Sequence, residues 1–134
     1  MSEKKIVKIK VKRQDSPDGK HHWEEFHIPY RPYLNVVICL NEIRKNPKTF
    51  DGRPTTAPVW ESSCLEEVCG VCTMVINGKV RQACSALIDQ IGLDVKIEPM
   101  TKFPLVRDLV VNRSRLFESL KHVKAWIPMD GTHA

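Results

Sequence analysis

The sequence predicts an α+β domain in which a mixed sheet lies over one main helix, with an extra helix near the C-terminus. Three observations predict it. Short segments that alternate apolar and polar residues, typical of half-buried strands, flank a segment with a helical apolar stripe. A cysteine-rich loop follows that stripe, and the pair Asn77-Gly78, a strong hairpin signal, follows the loop. A second helical stripe comes last.

The N-terminal segment is predicted to be a β-hairpin. In residues 5–13 the apolar side chains of Val7, Ile9 and Val11 alternate with lysines, so one face points into a core and the other into water. Residues 15–19 contain Asp, Ser, Pro and Gly and predict a turn. A second strand is expected over residues 23–28, where the following proline ends it.

Residues 32–45 are predicted to form the main helix, with Pro32 in its first turn and Asn46-Pro47 at its end. Cys39 lies beside the apolar stripe, where a lone cysteine is usually a small buried hydrophobic residue rather than a ligand. The stripe consists of Val36, Val37, Leu40 and Ile43.

The second half of the chain is predicted to add three strands and one helix. Residues 73–76 and 79–83 flank Asn77-Gly78 as a hairpin, residues 85–91 form a short helical or irregular link, and residues 94–98 form another strand. Residues 106–123 carry an apolar stripe that predicts the extra helix. That stripe consists of Val106, Leu109, Val110, Leu116, Phe117, Leu120 and Val123.

Composition excludes several classes of protein. The 134 residues suffice for one domain with a core, and no apolar run approaches the roughly 18 residues of a membrane span. The N-terminus lacks the apolar segment of a signal peptide, so five cysteines predict free thiols in the cytoplasm rather than disulfides. The net charge of +5 is attributed to the lysines on the solvated face of the first strand. A nucleic-acid binder is not expected, because the aromatic residues that would alternate with its basic residues are missing.

Four cysteines carry the strongest chemical signal. Cys64, Cys69 and Cys72 lie in one short loop, and Cys84 follows across the predicted hairpin. This C-x4-C-x2-C…C spacing is that of plant-type 2Fe–2S clusters, in which four thiolates hold two bridged irons. Structural zinc is the alternative, but zinc sites usually consist of two separated C-x2–4-C pairs.

The loop offers hydrogen-bond donors for an anionic cluster. Backbone N–H groups of such a loop can point at the cluster, and Gly70 suits a close approach of the backbone. The hydroxyls of Ser62, Ser63 and Thr73 are either further donors to the sulfurs or ordinary polar side chains of a loop.

Catalytic motifs are missing from the sequence. It contains no paired carboxylates at helical spacing, no Ser/His/Asp set and no phosphate-binding loop, so the chain offers no substrate chemistry of its own.

The order of elements matches the β-grasp 2Fe–2S ferredoxin-like pattern, and three segments resemble a particular family. SSCLEEVCGVCTMVINGK, RQACSALI and FPLVRDLVVNRSRLFESLK are similar to the N-terminal half of the iron–sulfur subunits of succinate dehydrogenase and fumarate reductase. The resemblance implies that Cys64, Cys69, Cys72 and Cys84 bind a 2Fe–2S cluster. It also implies that this cluster accepts electrons from the FAD of a flavoprotein subunit.

The resemblance implies two units and a complex. Residues 1–104 would be the plant-type 2Fe–2S domain, and residues 105–134 the helix and tail leading to a C-terminal domain that is absent here. That domain would hold 3Fe–4S and 4Fe–4S clusters and contact a membrane-anchor cytochrome b subunit near the quinone. The complex would lie on the inner face of a bacterial cell membrane, with no direct membrane span, no nucleic-acid partner and no catalytic residue in this chain.

The chain departs from the family pattern inside the loop. Many members carry Arg-Glu-Gly after the first ligand, whereas this chain has Leu65, Glu66 and Glu67, a form that resembles the Gram-positive-type branch. Two alternatives remain open on the sequence: a free-standing ferredoxin, which would usually be acidic, and a zinc-stabilised interaction domain. The direction of electron flow, succinate oxidation or fumarate reduction, is not encoded in these residues.

Overall fold

Alternation of apolar and charged residues builds the sheet as expected. The computed structural model describes residues 5–127. In the first strand Val7, Ile9 and Val11 are fully buried, while the lysines between them face outward. Five strands form the sheet: β1 (Ile6–Arg13), β2 (His22–Pro29), β3 (Thr73–Ile76), β4 (Lys79–Gln82) and β5 (Asp94–Glu98).

The sheet is mixed, with strand order β2-β1-β5-β3-β4. β1 pairs antiparallel with β2 and parallel with β5, and β3 pairs antiparallel with both β5 and β4. The parallel pair requires a long crossover, which contains the main helix and the cysteine loop. Asn77 and Gly78 both have positive φ in the β3–β4 turn, which confirms the hairpin predicted from this pair.

The main helix, α1, runs over Val36–Lys45 and buries the predicted apolar stripe against the sheet. The prediction that it begins at Pro32 is wrong. Asn35 caps it instead, because its Oδ1 accepts the N–H of Ile38 at 2.7 Å, and the positive φ of Tyr33 prevents an earlier start. The predicted link contains a short 3-10 turn at Ala83–Ser85 and the one-turn helix α2 (Ile88–Ile91).

The prediction of one helix over residues 106–123 is wrong in its first half. That part forms a small hairpin of β6 (Leu105–Arg107) and β7 (Val110–Val111), and only α3 (Ser114–His122) is helical. The turn residue Asp108 has φ 47°, which no helix allows. The stripe that suggested a helix does not share one face here: Val106 is exposed, whereas Leu109 is buried.

A buried charged network fastens this hairpin to the sheet. Arg13 is 3% exposed and Asp108 1% exposed, and Nε of Arg13 donates to Oδ1 of Asp108 at 3.1 Å. Arg13 also bonds Glu24 and the carbonyl and hydroxyl of Thr56. Asp108 further accepts the N–H groups of Gln14 and Val59, both at 3.0 Å. The network therefore joins β1, β2, the connection before the cysteine loop and the C-terminal hairpin.

Candidate metal centre

The four predicted cysteines meet where the loop joins the β3–β4 hairpin. Cys64 and Cys69 lie in the irregular loop, Cys72 directly precedes β3, and Cys84 lies in the 3-10 turn after β4. The hairpin returns the chain beside its start, since the N–H of Ala83 donates to the carbonyl of Cys72 at 3.2 Å. Cys72 and Cys84 are buried, whereas Cys64 is half-buried and Cys69 exposed.

The loop backbone surrounds the sulfurs with donors. Three N–H groups reach Sγ of Cys64, two reach Cys69, and one each reaches Cys84 and Cys72, at N···S distances of 3.3–3.5 Å. Such convergence of backbone N–H groups forms a site for negative charge. The donors are, in chain order, the N–H groups of Cys64, Glu66, Glu67, Val68, Cys69, Val71 and Cys84.

Left-handed backbone conformations turn these N–H groups inward. Leu65, Glu67 and Gly70 have φ of 60°, 62° and 75°. Glycine adopts this region freely, whereas a residue with a Cβ pays roughly 1–2 kcal/mol. Two non-glycine residues therefore hold strained conformations in the segment that delivers the donors, and strain of this kind clusters at functional sites. The side chains of Glu66 and Glu67 are exposed, so their carboxylates face water.

The donors change the acidity of one thiol strongly. Hydrogen bonds from the N–H groups of Glu66, Cys69 and Val68 lower the pKa of Cys64 from 9.0 to about 7. Burial, followed by the hydrogen bond with Cys72, raises the pKa of Cys84. The loop thus favours a thiolate at Cys64, which is the form that binds metal.

Cys39 does not join this group. It lies in α1, fully buried in the core, and burial raises its pKa to about 12. The hydroxyl of Thr73 donates to the carbonyl of Gly70 at 2.7 Å rather than to a sulfur, so of the two alternatives left open for this side chain the structure favours a role within the loop.

Two residues that hold the site are not recognisable from the cysteine spacing. Nδ2 of Asn35, the cap of α1, donates to the carbonyl of Cys84 at 3.1 Å. The guanidinium of Arg113, from the segment before α3, donates to the carbonyls of Gly70 at 2.9 Å and Val71 at 2.7 Å. Both contacts cross more than 40 residues of sequence, and no local pattern predicts them.

The cysteine spacing and the N–H donors around the sulfurs fit a 2Fe–2S cluster. Structural zinc needs four ligands around one point. A 2Fe–2S cluster shares four thiolates between two irons, and its negative charge matches the ring of N–H donors described above.

Comparison with known proteins agrees with this chemistry. A family model described as "2Fe-2S iron-sulfur cluster binding domain" matches residues 8–118. The chain is 57% identical over 133 residues to the succinate dehydrogenase iron-sulfur subunit of Bacillus subtilis. The match covers 99% of this chain and 53% of that protein. It is 42% identical over 106 residues to the fumarate reductase iron-sulfur subunit of Mycobacterium tuberculosis. That match covers 78% of this chain and 40% of the relative.

The solved structures show the same fold. The structure titled "Mycobacterium smegmatis Sdh1 complex in the apo form" contains a chain that matches with a TM-score of 0.75 and 21% identity, over 98% of this chain and 52% of that one. The present chain spans about half the length of the curated relatives it matches. The match over residues 8–118, the fold and the four-cysteine loop together place the chain in the 2Fe-2S iron-sulfur cluster binding domain family.

Proposed function

We propose that this chain is the N-terminal electron-transfer unit of a succinate dehydrogenase or fumarate reductase iron–sulfur subunit. The observation that carries the proposal is the group of four cysteines, three from the loop and Cys84 from the 3-10 turn, whose sulfurs accept seven backbone N–H groups. A 2Fe–2S cluster bound there supplies one-electron transfer. The relatives named as succinate dehydrogenase and fumarate reductase subunits support the choice of complex.

The residues of the chain divide the work at the site. Cys64, Cys69, Cys72 and Cys84 hold the cluster, and the loop N–H groups stabilise its negative charge. Cys72 and Cys84 are buried and shield one side of the site from water. Cys69 is exposed and lies on the side of the site that faces solvent. Val68, beside Cys69, is 76% exposed and offers an apolar contact on that side. We assign this side to the partner that delivers electrons, because transfer needs a short path to the cluster.

The partner is proposed to be a flavoprotein subunit carrying FAD. Electrons would pass onward to 3Fe–4S and 4Fe–4S clusters and to quinone through a C-terminal domain, next to a membrane-anchor cytochrome b subunit. The relatives' greater length supports such a second domain. In the described part of the chain, no helix is long and apolar enough to span a membrane. Attachment on the inner face of the cell membrane is proposed to depend on the C-terminal domain and its partners.

Of the proposed division into residues 1–104 and 105–134, α3 supports a second unit, but the packing of residues 105–111 favours a boundary after residue 111 rather than at 104. Ser114–His122 buries no residue, although one side of this helix is apolar. Residues 105–111, in contrast, pack on the first unit through Asp108 and Leu109. An unpartnered apolar face suits a subunit that continues into a second domain better than a free-standing ferredoxin.

The test is iron and acid-labile sulfide analysis of anaerobically purified protein, with an electron paramagnetic resonance spectrum after dithionite reduction. About two irons and two sulfides per chain and a spin-half signal are expected. Zinc without sulfide, combined with failure to reconstitute with iron and sulfide, would contradict the proposal. Co-purification with an FAD-containing flavoprotein tests the choice of complex. A reduction potential near the roughly −400 mV of plant-type ferredoxins would count against that choice.

A further inference from the structure

Arg113 links the start of α3 to the cysteine loop. It is the residue directly before the helix, and its side chain is partly buried. Its two terminal nitrogens donate to the consecutive carbonyls of Gly70 and Val71 at 2.9 and 2.7 Å. These carbonyls belong to the stretch between the second and third cysteines. A fixed fork of two N–H groups on two adjacent carbonyls is geometry that arginine provides and lysine does not.

The Gly70–Val71 peptide unit is hydrogen-bonded at both ends. Its carbonyl accepts Arg113, the N–H of Thr73 at 3.2 Å and the hydroxyl of Thr73 at 2.7 Å. Its N–H, on Val71, donates to Sγ of Cys69 at 3.4 Å. Three donors on one carbonyl polarise the peptide and strengthen the N–H at its other end. The strengthened donor points at a cysteine sulfur.

The charge of Arg113 is not neutralised within the described contacts. Its partners at the loop are carbonyls, and its Nε is buried without a hydrogen-bond partner. The guanidinium keeps its positive charge at any ordinary pH. A partly buried cation beside the site acts in the same direction as the polarised N–H, since both stabilise added negative charge.

We propose that Arg113 is a positioning residue that raises the reduction potential of the cluster through the Gly70–Val71 peptide. Hydrogen bonds to the sulfurs are among the factors that set such potentials. The inference rests on the proposed 2Fe–2S function. Because Arg113 immediately precedes α3, it also connects the loop to the helix whose apolar face has no partner within residues 5–127.

The test compares three variants loaded with iron and sulfide. Arg113→Met removes both the fork and the charge, and Arg113→Lys keeps the charge alone. Arg115→Met is the matched control: it removes the same charge two residues away, where Arg115 is exposed and lies 4.7 Å over the ring of Phe103. The readouts are the midpoint potential from a titration followed by electron paramagnetic resonance, and hydrogen exchange at the Val71 amide.

Arg113→Met is expected to lower the potential by an amount equivalent to a tenfold change in the one-electron equilibrium, about 59 mV. It should also speed exchange at Val71. In Arg113→Lys the potential should fall less than in Arg113→Met, while hydrogen exchange at Val71 should be as fast as in Arg113→Met. Arg115→Met should match the wild type in both readouts. If Arg113→Met cannot be loaded, Arg113→Gln takes its place in the same comparison.

Unchanged potential in Arg113→Met, or an equal shift in Arg115→Met, would overturn the inference. A wild-type potential in Arg113→Lys would overturn the route through the peptide. These failures differ from failure of the proposed function, which would show as wild-type protein that binds no iron and sulfide.

Discussion

At Glu67 the backbone conformation conflicts with the residue type. Many members of the family that the loop resembles carry glycine at this position, and here Glu67 holds φ 62°. Glu67→Gly should raise the free energy of unfolding, because it removes a strain of roughly 1–2 kcal/mol while adding about 0.5–1 kcal/mol of chain entropy cost. Gly70→Ala should act in the opposite direction, since it places a Cβ at φ 75°. Chemical denaturation of the loaded proteins measures both.

Glu67→Gln is the control for charge, because it keeps the Cβ and removes only the carboxylate. Equal stabilisation by Gln and Gly would mean that charge rather than backbone strain is responsible. At Gly70 the nearest atom to an added Cβ would be Oγ1 of Thr73 at 3.8 Å, an ordinary contact. Any loss in Gly70→Ala would therefore report the conformation and not a clash.

Cys39 provides a pH-dependent prediction. Its pKa is raised from 9.0 to about 12 by burial, so between these values the folded protein holds a proton that the unfolded chain releases. Stability then falls as pH rises above about 9. Cys39→Ala should abolish this contribution, which would be visible as a smaller loss of the unfolding free energy between pH 8 and 11.

Cys39→Ala should also retain the cluster, whereas Cys69→Ser should lose it. Cluster loss in Cys39→Ala, or cluster retention in Cys69→Ser, would contradict the ligand assignment.

Among the elements, α1 is coupled to the site through its cap. Asn35 both caps the helix and donates to the carbonyl of Cys84. Asn35→Ala should lower the free energy of unfolding by about 1 kcal/mol and speed cluster loss. Asn35→Ser keeps a capping oxygen but has no amide N–H, so it should preserve the helix while cluster loss remains fast. Visible absorbance follows cluster loss, and circular dichroism follows the helix.

The β6–β7 hairpin is held by a buried ion pair. Asp108→Asn keeps the Arg13–Glu24 ion pair but replaces one carboxylate oxygen, which accepts buried N–H groups, by an amide that donates; the unpaired donors should cost about 1–3 kcal/mol of unfolding free energy. Asp15→Asn makes the same chemical change in an exposed pair, 3.7 Å from Arg107, and should cause no measurable loss. Similar denaturation midpoints for the two variants would show that the network contributes little.

For the whole molecule, the C-terminal segment should divide into a part that belongs to this fold and a part that does not. Leu109 is 5% exposed in the core, and Leu120 is 47% exposed on α3. Leu109→Gln should cost about 3 kcal/mol of unfolding free energy. Leu120→Gln should cost little and should reduce binding of a hydrophobic dye. A large loss in Leu120→Gln would mean that α3 is already packed within this chain.

The sequence by itself determined the sheet, the Asn77-Gly78 hairpin and the cysteine set, because alternation, turn residues and ligand spacing are local signals. Local spacing misled at residues 106–111, where an apolar pattern compatible with a helix forms a hairpin around the buried Asp108. Only the tertiary structure decided that Arg13 pairs with Asp108, that Asn35 supports Cys84, and that Arg113 contacts the loop. Those contacts join residues far apart in the chain, and burial makes them strong, so no local pattern contains them.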